Sequence, residues 1–281
     1  MGAEKLVNVV LSGLGWELKY IRNQRGLSLE VVCQQLRWQQ SKLSRMENGQ
    51  QHISDADLGA LLVIYRVHGE DRRRLLRLAQ RQDAPGYWEL DPPQVAGTWT
   101  LVRLEQEATS IVDAETMLIP GLVHTEDYAR ALMLAGNVPP EQVEPRVQAR
   151  MERRSLLTRD NAPKFDMILD ETALRRPLGS RSIMVRQLRA LLKVELPNVR
   201  LWVVPFELGA SVGFHYSFYL MGFPRNKSVV FLEQKTSGVY LEEAEKTEVF
   251  RRHAARLAKI ALNPAESIDR IATIAKEHKR E

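Results

Sequence analysis

Residues 37–51 read RWQQSKLSRMENGQQ. Gln39, Gln40, Ser41, Lys42, Ser44 and Arg45 crowd around two apolar residues, Leu43 and Met46. On a helix those two share one face, three positions apart, and the polar side chains fall outside it. Amide, hydroxyl, ammonium and guanidinium groups then stand close together. The chemistry of such a face is hydrogen-bond recognition rather than bond breaking. The charge balance gives the sign of what it meets. Residues 1–82 hold 13 Lys/Arg against 8 Asp/Glu, a net +5, whereas residues 83–281 hold 27 of each. The whole excess sits in the N-terminal part that carries this face, which points to an anionic partner, nucleic acid foremost.

The chain that must position these groups has 281 residues, a length that suggests two domains. Hydrophobic residues make up 44% and charged residues 27%, an ordinary globular composition. The longest apolar runs, such as 58–65, are too short to span a bilayer. The opening MGAEKLVNVVLSGLGW lacks the charge, long apolar core and cleavage site of a signal peptide. A lone cysteine, Cys33, makes no intramolecular disulfide and no cysteine-cluster metal site. A cytoplasmic location without membrane contact is expected.

Residues 14–82 read as a string of short helices. Leu14, Leu18 and Ile21 form a stripe that ends near Gly26. Ser28 is placed to cap LEVVCQQL, although the acid of a capping box is replaced by Val31. After a break at Arg37-Trp38, the next helix runs from about Gln39 to Asn48, stopped by Gly49 in the left-handed conformation. Ser54 or Asp55 caps a helix with Leu58, Leu61, Leu62 and Tyr65 inward, and a last helix covers 70–81. Glu47 reads as a structural acid that pairs with a neighbouring helix or cap. Two short helices joined by a tight turn inside a bundle describe a helix-turn-helix.

The same residues, LKYIRNQRGLSLEVVCQQL and SKLSRMENG, resemble the XRE-type domain of phage-repressor-like transcription factors. Arg37 departs from that pattern, standing where the turn usually has Gly, and Cys33 stands at a usual Ala. An Arg at a left-handed turn costs roughly 1 kcal/mol. The resemblance implies that the second helix enters the major groove of double-stranded DNA. It carries base reading onto Gln40, Ser41 and Arg45. Glutamine pairs bidentately with adenine and arginine with guanine. Lys42 reads a base or holds a phosphate, and Ser44 faces outward with them. Ser28, Gln39 and Gln51 fall at phosphate-holding positions. A homodimer on two half-sites is expected, because one helix-turn-helix buries too little surface for high specificity.

The segment 83–98 reads as a linker, since Pro85-Gly86 and Pro92-Pro93 break any helix. A domain over 99–281 then alternates helical stretches with β-rich runs: FDMILDE, RLWVVPF, FYLMGF and SVVFLEQ. The expected fold is an all-α N-terminal bundle plus a C-terminal α+β domain with a small sheet flanked by helices. IPGLVHTEDYARALM, ILDETALRRPLG, MVRQLRALL, NVRLWVVPFELGA and ALNPAESI resemble the C-terminal domain of actinobacterial XRE regulators of the WhiJ-like group. The resemblance implies a sensing or partner-binding module, so a small-molecule effector or a small partner protein is expected. The alternative is an antitoxin-like module in which holding that partner is the main task and DNA binding is autoregulatory.

Nothing in this region spells an enzyme. The six histidines lack H-x-H or H-E-x-x-H spacing, so no metal is expected, and neither is a cofactor. Asp170-Glu171 and Glu233 sit at strand ends as conceivable paired acids, but such groups more often cap helices or pair with arginines such as Arg175, Arg176 or Arg186. No catalytic residue is expected. Trp202, Phe206, Phe214, His215 and Tyr216 gather around two strands and their loop. They suit either a small-molecule pocket or a domain core with a dimer face.

Overall fold

Each break in the N-terminal periodicity becomes a turn. The computed structural model describes residues 9–80, 82, 87–90, 96–209, 213–234 and 238–280. In chain order the first elements are α1 (Val9–Gln24), α2 (Leu29–Leu36), α3 (Gln40–Glu47), α4 (Asp55–Ile64), α5 (Gly69–Ala79), β1 (Tyr87–Leu90) and α6 (Ala96–Glu107). Leu14, Leu18, Val32, Leu43, Met46, Leu58, Leu61, Leu62, Tyr65 and Leu75 are fully buried together. Cys33 joins them as a small apolar residue, and burial pushes its thiol pKa up. Of the segment read as a linker, 83–86 and 91–95 lie outside the described residues, while 87–90 form a strand and 96–98 already belong to α6.

The chain continues through β2 (Ser110–Glu115), α7 (Glu126–Ala135), α8 (Pro140–Glu152), β3 (Lys164–Asp170), α9 (Glu171–Arg175), α10 (Arg181–Leu191), β4 (Val199–Val204), β5 (Phe218–Phe223), β6 (Lys227–Glu233), β7 (Gly238–Leu241), α11 (Ala244–Ile260) and α12 (Pro264–Arg280). Two compact units result: Met1–Glu107 with Glu233–Glu243, and Ala108–Leu232 with Ala244–Glu281. The first holds the helices α1–α6 and the antiparallel β1–β7 pair. The second is built on a mixed sheet in the order β6-β5-β2-β3-β4. There β2, β3 and β4 run parallel, and β5 pairs antiparallel with both β2 and β6. Parallel neighbours need long crossovers, which α7–α8 and α9–α10 supply. Central strand β3 is buried on both faces through Phe165, Met167, Ile168 and Leu169, hence its near-continuous apolar run. Among the described residues no helix is long and apolar enough to cross a membrane.

The outer edge of β4 is closed by its own chain. The N–H of Leu262 donates to Val203 O at 2.8 Å, and the N–H of Val203 donates to Ser267 Oγ at 3.0 Å. A covered edge does not invite a foreign strand.

The second unit also contains a buried histidine with an assignable proton. His124 Nε2 lies 2.7 Å from Ile119 O, and its Nδ1 lies 3.2 Å from Arg150 Nη1. A carbonyl only accepts and a guanidinium only donates, so Nε2 carries the hydrogen and Nδ1 accepts. The ring is therefore neutral. Burial first, and then the Arg150 charge, push its pKa down to about 3. Between that value and the ordinary His pKa of about 6.5 the unfolded chain binds the extra proton. Stability from this group is complete above the unfolded value and drains away as pH falls towards the folded one, at up to about 1.4 kcal/mol per pH unit. Urea unfolding between pH 7 and pH 5 checks this. The loss should be smaller in H124N, and equal losses in both chains would contradict it.

Candidate nucleic-acid interface

The interface is built on three stops. Ser28 Oγ accepts from Val31 N at 3.2 Å and starts α2. Arg37 ends it in the left-handed conformation at φ 55°, ψ 41°, with Trp38 N–H on Cys33 O at 2.9 Å. The turn thus keeps the conformation that glycine favours while carrying a guanidinium. Gly49, at φ 61°, lets the chain leave α3 as Gln50 N–H returns to Arg45 O at 2.8 Å.

Between these stops α3 sorts its residues as its spacing predicts. Leu43 and Met46 are fully buried, and Gln39, Gln40, Ser41 and Arg45 are exposed. Among the described residues the side chains of Gln39, Gln40 and Ser41 make no hydrogen bond. Their donors and acceptors stand open on one surface. Arg45 Nε donates to Gln51 Oε1 at 3.2 Å, so these two side chains are aligned before any partner arrives. Ser44 is half-buried and accepts from Asn48 Nδ2 at 3.3 Å. The Ser28 hydroxyl already serves as the cap of α2.

Lys42 is placed differently from its neighbours. Its ammonium donates to Asp57 Oδ1 at 2.7 Å and lies 4.0 Å over the Trp38 ring. Asp57, in the first turn of α4, thus competes with any phosphate or base for that charge. D57N should tighten DNA binding several-fold and steepen the salt dependence by about one counterion. Titrations at two salt concentrations read this out, and an unchanged slope would show that Lys42 does not reach the DNA.

Sequence reasoning placed Glu47 as a structural acid pairing with a neighbouring helix, as it does, but missed its partner Arg22 and the close approach at Gly15. Arg22 of α1 meets Glu47 in a buried bidentate pair, Nε to Oε1 at 2.6 Å and Nη2 to Oε2 at 2.9 Å. The remaining Nη1 donates to Leu27 O at 2.7 Å. Tyr65 OH adds a longer contact to Glu47 Oε1 at 3.5 Å, and burial beside that carboxylate pushes its phenol pKa well above the ordinary range. The hydrogen bond to Glu47 raises the Arg22 pKa as well, so the guanidinium stays charged at neutral pH. Gly15 provides the second hold: a Cβ there would stand 2.2 Å from Met46 O. The available signals were an arginine on the inner side of an amphipathic helix and a glycine in its middle.

In the second unit the five aromatic and histidine candidates fall into separate surroundings. Trp202 is half-buried with Arg200 5.8 Å from its ring, and Phe206, 51% exposed, faces Arg175 at 5.7 Å. Phe214 is buried and His215 exposed. Tyr216 lies about 6 Å from Phe218, Phe250 and His253. The acids have structural partners. Asp170 Oδ1 caps α9 through Thr172 N at 2.8 Å. Glu171, almost wholly buried, accepts from Arg175 at 2.6 Å, from Arg270 at 2.8 Å and from Phe206 N at 3.2 Å. Arg186 pairs instead with Asp127 at 2.7 Å, and Glu233 is exposed.

Two family models match the chain. Residues 14–75 match a family model described as a helix-turn-helix domain. Residues 98–273 match one described as a domain of unknown function, DUF5753. No curated protein matches the chain. Among solved structures the chain is similar to one described as "Structure of TrmBL2, an archaeal chromatin protein, shows a novel mode of DNA binding". The identity is 12%, with 87% of this chain and 68% of that chain covered, at a TM-score of 0.30.

Proposed function

The chain belongs to the DUF5753 family and carries a helix-turn-helix domain at its N-terminal end, and from that premise we propose that it is a sequence-specific, DNA-binding transcriptional regulator. Helix α3 enters the major groove of duplex DNA. Gln40, Ser41 and Arg45 read base edges, and Gln39 and Gln51 hold the adjoining backbone. The DNA-binding domain is assigned to residues 1–82, the linker to 83–98 and the regulatory domain to 99–281. That second domain takes an effector or a partner, as its resemblance to the WhiJ-like XRE regulators implies, and contributes to a homodimer.

One observation carries this reading. The outward face of α3 presents Gln39, Gln40 and Ser41 without hydrogen-bond partners among the described residues, beside an Arg45 prealigned by Gln51. The basic excess of the first 82 residues supports it. Footprinting with the full chain is expected to show protected half-sites about one helical turn apart. R45A should cost roughly 1–3 kcal/mol of specific binding and relax preference at one base pair. A chain whose affinity and base preference survive R45A does not read DNA in this way. A stable stoichiometric complex with a small protein, with no footprint at all, would favour the antitoxin-like alternative.

A further inference from the structure

Helix α11 turns a cationic face to solvent. Val249, Arg252, His253 and Arg256 lie at successive helical neighbours and line a surface concavity of about 240 Å³. Gly213 approaches from the preceding loop: a Cβ there would stand 3.9 Å from His253 Cε1. Tyr216, 46% exposed, stands 6.1 Å from the rings of both His253 and Phe250. Under them Phe218 is buried and packs on Phe250 at 5.3 Å. The concavity therefore has a basic rim, with the Tyr216 ring beside the His253 that lines it.

Its polar groups are poorly matched inside the protein. His253 Nε2 is buried and has no hydrogen-bond partner among the described residues. A buried ring nitrogen left in that state costs free energy that a ligand hydrogen bond restores. Arg256 makes no ion pair or hydrogen bond among the described residues, and Arg252 has a loose contact with Glu248 at 4.0 Å. Arg251, in contrast, is engaged, donating to Ser228 Oγ at 2.7 Å. Burial, followed by the nearby Arg256 and His215, keeps the His253 imidazole pKa below its usual value. One open guanidinium and one loosely paired guanidinium, beside a neutral, unpaired imidazole and an exposed phenol ring, suit one kind of ligand.

We propose that this concavity on α11 is the effector site, and that it takes a small organic anion with a single flat ring. The carboxylate or phosphate sits between Arg252 and Arg256, the ring lies against Tyr216, and a ligand donor or acceptor meets His253 Nε2. The inference rests on the regulatory role given above to the second domain. It deepens that role by naming a place and a ligand class.

The test uses the full chain with phenyl phosphate and benzoate as probes and inorganic phosphate as the ringless control, read by isothermal titration. Saturable binding of at least one ring-bearing probe, tighter than inorganic phosphate, is expected. The double substitution R252Q/R256Q should weaken it about tenfold or more, since a charge-assisted contact is lost at an exposed position where the fold is not at stake. Y216L should weaken the ring-bearing probes and leave inorganic phosphate unchanged. The two ring-bearing probes distinguish a carboxylate ligand from a phosphate. Binding by neither of them, equal binding by the double variant, or inorganic phosphate as tight as the better-binding ring-bearing probe overturns the site. So does a loss of duplex binding in R252Q/R256Q matching that of R45A, which would reassign the arginines to nucleic acid. Footprinting of the unmodified chain tests the regulator reading by itself, so the two failures are distinct.

Discussion

Glu47→Ala is expected to destabilise the N-terminal unit by about 3–5 kcal/mol, because it leaves the Arg22 guanidinium buried without its counter-charge. The attraction within the pair is not the reason for the size of the effect. Desolvation has already consumed much of that attraction, and the cost appears when one ion stays behind. Arg22 is almost fully enclosed and Leu27 O satisfies only one arm of its fork. Tyr65 OH loses an acceptor at the same time. Urea denaturation followed by helical circular dichroism measures the loss. A change below about 1 kcal/mol would place the pair in the class of surface ion pairs and contradict its burial. Replacing both partners, as in R22M/E47L, should recover much of the stability, because two apolar groups leave no stranded charge. Recovery of DNA binding does not follow automatically, since the bidentate pair also sets how α3 sits on α1.

Gly15→Ala is the second large effect, and its sign opposes helix propensity. Alanine in the middle of a helix is normally better than glycine by about 1 kcal/mol. Here the added Cβ would stand 2.2 Å from Met46 O and 3.0 Å from both Glu47 O and Gly49 N. These are backbone atoms, at the end of α3 and in the turn that stops it. To reach an ordinary 3.4 Å contact, α3 must move by about 1.2 Å, the difference between 3.4 and 2.2. Overpacking of this kind costs about 1–3 kcal/mol, which exceeds the propensity gain. A shift of that size also moves Gln40, Ser41 and Arg45 off the hydrogen-bond geometry that bidentate base reading needs. DNA affinity should fall about tenfold or more. Gly59 of α4 is the control: it is helical, and a Cβ there meets nothing within 4 Å. G59A should therefore raise stability by up to about 1 kcal/mol without changing DNA binding. If G15A behaves like G59A, α1 and α3 are not packed as closely as the structure has them.

Much of the fold was legible in the sequence, and the legible part is local. Ser28 and Ser54 cap helices by accepting from an N–H three residues ahead. Arg37 and Gly49 end helices through their own φ angles. Leu14 with Leu18, Leu43 with Met46, and Leu58 with Leu61 and Leu62 mark their buried faces by spacing alone. The β-rich runs at 165–170, 200–204, 218–223 and 228–233 became strands because alternation and branching suit a pleated surface. The extended piece after α6 revealed itself less clearly, yet it is β2, which pairs with both β3 and β5. Its buried Asp113 interrupts the apolar pattern that would have announced a central strand.

By itself, then, the sequence determined the helix-turn-helix, its caps and stops, the outward set on α3 and the α+β character of the rest. Each of these depends on residues within about four positions of one another, where backbone geometry leaves few options. Only the tertiary structure decided which groups meet across long separations. Arg22 finds Glu47 25 residues away, Lys42 is tied to Asp57 15 residues away, and Glu171 meets Arg270 across 99. Tyr216 likewise faces Phe250 and His253 of the later helix α11. A charged side chain has many possible partners at such distances, and packing of the apolar faces selects one of them. That selection turns a polar stretch into an ordered surface: it withholds Lys42, aligns Arg45 and leaves Gln40 and Ser41 open.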